Sequence, residues 1–247
     1  MLSLSRICIT ALLLWATAAT AAATPAAPSA TTPAAPAQAL AARMESARSW
    51  YQNLEAFWTV EIAALGGQYR GATLQFYAPP LERGCEVAGP LRGPFYCPAA
   101  ETVYLDQEYL QHLAGATPER TRALLGYVVA HELAHHVQGL VGTTVLVDQA
   151  RSRSTRALAT HTMTSYELQA DCYAGLSLRW AGQRGSLAVP LDSGALLDSV
   201  AALNPKQVLD PLTQGGRAQR LKWLQIGLDR GDFNACDTFS AEAASKP

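Results

Sequence analysis

Near the middle of the chain two histidines stand four positions apart, His131 and His135, with Glu132 directly after the first. On a helix, positions i and i+4 project from one face, so both imidazoles can grip one ion. Glu132 is rotated off that face but stays within reach of a water on the metal. Two histidines, a third protein ligand and an open position for water are the donor set of a zinc hydrolase. Zinc lowers the pKa of such a water towards neutrality, and a carboxylate can then take its proton. The flanks favour burial. Leu124, Val128, His131, His135 and Gln138 lie along one stripe, and Leu125, Val129 and Leu133 form an apolar row beside it. Burying two histidines and a glutamate without a metal or other partners would be costly.

The third ligand must come from elsewhere. Glu167 and Asp171 sit at i and i+4 in an apolar segment, where like charges repel unless a cation is near. The economical assignment puts Glu167 on the metal and Asp171 behind a ligand histidine, accepting its N–H. His161, in a polar stretch, is the rival third ligand. His136 points off the ligand stripe, towards a surface or supporting role, and His112 reads as a surface residue.

These side chains need a scaffold, and the pattern supplies one. Trp50, Leu54, Phe57, Trp58 and Ile62 are spaced by three and four, predicting a helix over Arg43–Ala64 stopped by Gly66 and Gly67. Thr73–Tyr77 and Thr102–Asp106 read as short strands, and Glu108–Ala114 as a brief helix. Thr117 is a plausible N-cap with Pro118 at the first helical position, launching a long helix through Gly139. Ala150–Trp180, Gly194–Leu203 and Arg217–Leu228 complete the helices. The order predicts an α+β fold, mostly α, with a small sheet and a buried helix bearing His131 to His135. Thr102–Asp106, just before that helix, is expected to be an edge strand along which an extended peptide could lie.

The N-terminus is of another kind. Arg6 precedes an uncharged, largely apolar run over Ile7–Ala19, followed by small residues that suit a cleavage site. This is the layout of a signal peptide over residues 1–23, with an uncleaved membrane anchor as the rival. Residues 24–39, rich in Pro, Ala and Thr, read as an extended linker, and residues 40–247 as one domain. Export suits the cysteines. Setting Cys8 aside leaves Cys85, Cys97, Cys172 and Cys236, an even number that allows three disulfide pairings. Cys85–Cys97 across a loop rich in Gly and Pro is the simplest, and Cys172–Cys236 follows by elimination.

Composition sets outer limits. Of 247 residues, 49% are hydrophobic and 16% charged, so a folded core is expected rather than disorder. A net charge of −1 carries no basic field for a nucleic acid. Beyond the N-terminus no apolar run is long enough for a clear membrane span.

Taken together, several segments resemble the bacterial neutral zinc metallopeptidase family, of glutamate-zincin type. They are Gly93–Pro98, Val103–Asp106, His131–Gln138 (HELAHHVQ), Glu167–Gly175 (ELQADCYAG), Ala218–Arg220, Gly231–Asp232 and Ala235–Phe239, in the family's order over roughly residues 45–240. The resemblance implies a zincin-like fold, one zinc ion on His131, His135 and Glu167, Glu132 as catalytic base and Asp171 behind the site. One departure stands out: relatives usually carry a histidine where this chain has Gln214, in a position that would stabilise the transition state. Gln214 could donate a hydrogen bond there but not a charge. The expectation is an exported peptidase, periplasmic or secreted, acting on a peptide or protein substrate. The alternative is a zinc-binding structural or interaction protein of the cell envelope that turns nothing over.

Overall fold

In a computed structural model, residues 34–81, 85, 91–113, 117–185, 193–194 and 215–240 are described. Helix α1 spans Ala34–Ala64, starting nine residues upstream of Arg43 and running through part of the expected linker. Pro36 falls in its first turn, where an N–H has no helical partner to lose. Ala37, Gln38 and Ala39 are exposed, and the buried face begins in earnest at Ala47, Trp50 and Leu54.

Strands β1 (Thr73–Tyr77), β2 (Phe95–Cys97) and β3 (Thr102–Asp106) form one sheet in the order β1-β3-β2. β1 runs parallel to β3 and β2 antiparallel to it, with Tyr96 opposite Val103. Thr102–Asp106 is therefore the central strand, not an edge, and every residue of it is buried. Its short apolar run serves the core on both faces; β1 takes one edge, and β2, which the sequence hides in a Gly- and Pro-rich loop, takes the other. The cysteines at the two ends of that loop are joined, Cys85 to Cys97.

Helix α2 (Gln107–His112) follows β3 at once, capped by Asp106, whose carboxylate accepts from the backbone of Glu108 and Tyr109. Helix α3 (Pro118–Leu140) starts as read, with the Thr117 hydroxyl accepting from the Arg120 N–H and Pro118 at its first position. It is buried continuously from Ala123 to Gln138, as a central helix surrounded by α1, the sheet and later helices must be. Helix α4 (Thr143–Arg153) and helix α5 (Arg156–Gln183) are separate, divided at Ser154 and Thr155, where a new N-cap forms. Helix α6 (Arg217–Arg230) ends at Gly231 in a left-handed conformation, and a short 3-10 turn, Phe233–Cys236, follows. The expected helix over Gly194–Leu203 lies outside the described residues except for Gly194.

α5 and α6 meet backbone to backbone. A Cβ on Gly175 would lie 2.3 Å from the Leu224 carbonyl oxygen, and one on Gly227 would lie 2.0 Å from that of Cys172. Only glycine permits this approach. Beside the crossing, Cys172 is bonded to Cys236 and so ties the 3-10 turn to α5. Among the described residues no helix is long and apolar enough to cross a membrane. The apolar N-terminal run lies outside them.

Candidate metal centre

α3 brings His131 and His135 together with their rings nearly perpendicular and the centroids 4.9 Å apart. α5 faces them with Glu167. Its Oε2 lies 3.4 Å from His131 Nε2 and 3.7 Å from His135 Nε2. The three residues offer one atom each within a span of 4.8 Å. Ligands about 2.0–2.1 Å from a tetrahedral zinc stand about 3.3–3.4 Å from one another, so the cluster is close to zinc-sized. A second observation agrees: Glu167 Oε2 is buried and has no hydrogen-bond partner. A carboxylate oxygen in that condition is costly unless a cation completes it. The donor set fits zinc.

Each ligand histidine is held from behind, but by different chemistry. His131 Nδ1 is 3.1 Å from Asp171 Oδ1. Asp171 is fully buried and accepts from Arg220 through Nε at 2.8 Å and Nη2 at 3.1 Å, and from the Tyr127 hydroxyl. Burial alone would push the Asp171 carboxyl up, but the Arg220 guanidinium and His131 hold it well below the usual carboxylate range. Its anionic form makes His131 Nδ1 the donor and leaves Nε2 facing Glu167. His135 Nδ1 instead meets the side-chain oxygen of Gln138 at 2.8 Å, and the Tyr166 ring stacks on His135 at 4.9 Å.

Glu132 lies beside the three-residue cluster and outside it. It is 9% exposed, with its backbone on the same turn as His131. Burial pushes its carboxyl up to about 7; the charge of His131 and a backbone hydrogen bond from Tyr96 oppose that rise, and Glu167 adds to it. The Tyr96 contact places edge strand β2 beside the acid. In the metal-free protein burial lowers His135 below its ordinary value, with Glu167 partly offsetting it. For Glu167 the burial penalty is outweighed by His135 and His131, and its carboxyl titrates low.

Several sequence expectations are thus placed. Glu167 converges on the two histidines and Asp171 stands behind His131. His161 is exposed on α5 and takes no part in the described cluster. His112 is exposed, its Nδ1 donating to the Glu108 carbonyl. Of the two roles expected for His136 the surface one falls away and the supporting one remains: it is 1% exposed. Its Nε2 donates to the Arg70 carbonyl at 2.6 Å and its Nδ1 accepts from the Tyr96 hydroxyl at 2.9 Å. α3 is enclosed on all sides here, so a residue off the ligand stripe meets the sheet instead of solvent. Gln214 lies outside the described residues. Sequence reasoning missed Tyr127 and Arg220. Tyr127 stands one helical turn before His131, a spacing that could have marked it. Arg220 carried no signal beyond its place in the Ala218–Arg220 segment.

Comparison with known proteins agrees with this geometry. A family model described as "Putative neutral zinc metallopeptidase" matches residues 10–239. The Escherichia coli K12 protein named "Uncharacterized protein YpfJ" is 33% identical over 193 residues, covering 75% of this chain and 67% of the relative. The Mycobacterium tuberculosis H37Rv protein named "Uncharacterized protein Rv2575" is 33% identical over 198 residues, covering 70% of this chain and 64% of the relative. No solved structure matches the chain.

Proposed function

The chain belongs to the neutral zinc metallopeptidase family, and from that premise we propose that it is an exported, zinc-dependent peptidase with Glu132 as its general base. The observation that carries this reading is Glu132 itself. A site built only to brace the fold needs no buried carboxyl beside its ligands, and a closed structural site fills its fourth position with a protein group. Here three residues converge, and an acid tuned towards neutrality stands next to them.

His131, His135 and Glu167 would hold the ion, which when bound supplies Lewis acidity to the scissile carbonyl and acidity to the attacking water. Glu132 takes the proton of that water and passes it to the leaving amine. Asp171 and Arg220 keep His131 oriented while this happens. The substrate class is a peptide or protein. Export is supported by two cysteine pairs at disulfide distance and by the signal-like N-terminal segment. The test pairs metal analysis with cleavage of a diverse peptide mixture. Glu132→Gln should retain stoichiometric zinc and lose turnover. A zinc-loaded wild-type protein that cleaves nothing, or a Glu132→Gln variant that cleaves as well as wild type, overturns the reading.

A further inference from the structure

Behind His135 runs a line of two buried amides with no charge in it. His135 Nδ1 lies 2.8 Å from Gln138 Oε1. Gln138 Nε2 lies 2.8 Å from the Tyr166 carbonyl oxygen and 3.0 Å from Gln169 Oε1. Gln169 Nε2 lies 3.2 Å from the carbonyl oxygen of Cys236. Gln138 is fully buried and Gln169 is 7% exposed.

The direction of this line is forced from its far ends. A backbone carbonyl only accepts, so each amide must turn its nitrogen towards the carbonyl it meets. Cys236 thereby fixes Gln169, whose oxygen then faces Gln138. Tyr166 independently fixes Gln138, whose oxygen then faces His135. Flipping either amide would set oxygen against oxygen at its carbonyl, a buried mismatch costing on the order of 1–3 kcal/mol per orphaned group. The group left for His135 is an acceptor. Nδ1 must carry the proton, and Nε2 keeps the bare lone pair that faces Glu167.

We propose that Gln138 and Gln169 are positioning residues that lock His135 in its Nδ1–H form before any metal arrives, so that Nε2 is presented ready to bind. The inference rests on the metal reading of His135 and Glu167 and not on peptidase activity. His131 gains the same polarity from an ion pair. His135 gains it from neutral amides, which leave the site's net charge untouched. An imidazole free to sample both neutral forms would first have to discard the Nε2–H form, and that selection weakens binding.

The test uses the full chain stripped of metal. At pH 8 the imidazole nitrogen shifts of wild-type His135 should report Nδ1–H almost alone. Zinc affinity, read by competition with a chromogenic chelator, should fall about 10-fold in Gln138→Met, the low end of the range usual for lost support behind a ligand. His135 in that variant should show both neutral forms. Gln169→Met, which keeps the oxygen facing His135, should give a smaller loss in the same direction. A wild-type His135 protonated on Nε2 overturns the proposal without any variant. So does a folded Gln138→Met protein with unchanged affinity and an unmixed His135. Failure of stripped wild-type protein to bind zinc at all would instead reject the metal site on which the proposal stands.

Discussion

Arg220 grips Asp171 with two nitrogens, Nε at 2.8 Å and Nη2 at 3.1 Å, and the same Nη2 reaches the Tyr127 hydroxyl at 2.7 Å. Three helices thus meet at one carboxylate: α3 through Tyr127 and His131, α5 through Asp171, α6 through Arg220. Arg220→Met leaves Asp171 buried without its counter-charge. The expected loss is about 3–5 kcal/mol at pH 7, read as a lower urea midpoint. Asp171 titrates low in the fold, so its stabilisation is present above its unfolded value and lost as pH falls through the folded one. The gap between wild type and Arg220→Met should therefore close at strongly acid pH. A gap that stays constant down to acid unfolding would mean that Arg220 acts by packing alone.

Glu132 works in the opposite sense. Its folded value is raised from 4.5 to about 7, so in metal-free protein its contribution to stability is greatest below its unfolded value and is lost as pH rises through about 7. Metal-free Glu132→Gln should therefore be the more stable protein above pH 7, by on the order of 3 kcal/mol at most, with the advantage fading in acid. Thermal melts of both proteins in chelator across this pH range decide it. A variant less stable than wild type at alkaline pH would refute the sign.

Gly227→Ala is expected to be severely destabilising. Its Cβ would press on the Cys172 carbonyl oxygen and, at 2.7 Å, on the Leu176 nitrogen, both backbone atoms that no rotamer change can move. A loss of at least the 1–3 kcal/mol of ordinary overpacking should appear, together with weaker zinc retention as α5 shifts. Gly139→Ala is the control. Gly139 is exposed near the end of α3, and its nearest new neighbour would be Thr144 Oγ1 at 3.9 Å. That change should be neutral or stabilising by up to about 1 kcal/mol.

The two disulfides should differ in weight. Cys172–Cys236 closes 64 positions and Cys85–Cys97 closes 12. On chain entropy the first contributes about 4 kcal/mol and the second about 3 kcal/mol. Paired alanine replacement and denaturant unfolding should rank them in that order. The Cys172–Cys236 variant should also lose more zinc affinity, since Cys236 supplies the carbonyl that Gln169 meets.

The helix bearing His131 and His135 was legible because its chemistry and its period coincide: the two histidines share a face only on a helix, and Thr117 with Pro118 marks where that helix begins. The family segments and the mostly helical α+β class were legible for the same reason, each being a local pattern. What escaped depends on chain distance. β2 has three residues, too few for alternation to show, so one of the sheet's two edges was hidden and β3 was misplaced there. Arg220 and Tyr127 meet across 93 positions, and nothing near either residue says so. For His136 the sequence left a surface and a supporting role open, because nothing local says that the sheet covers that side of the helix.

The glycine crossing has a mechanical meaning. Where helices touch through side chains, rotamer changes absorb small displacements like a cushion. α5 and α6 have no such layer at Gly175 and Gly227. Asp171 and Arg220 are therefore carried by one stiff bracket, and Glu167 rides on it too. α3 joins that bracket through side chains, His131 on Asp171 and Gln138 on the Tyr166 carbonyl, so the joint between the two histidines and the carboxylate is the more cushioned one. An ion bonded to both sides would act as a rivet across that joint.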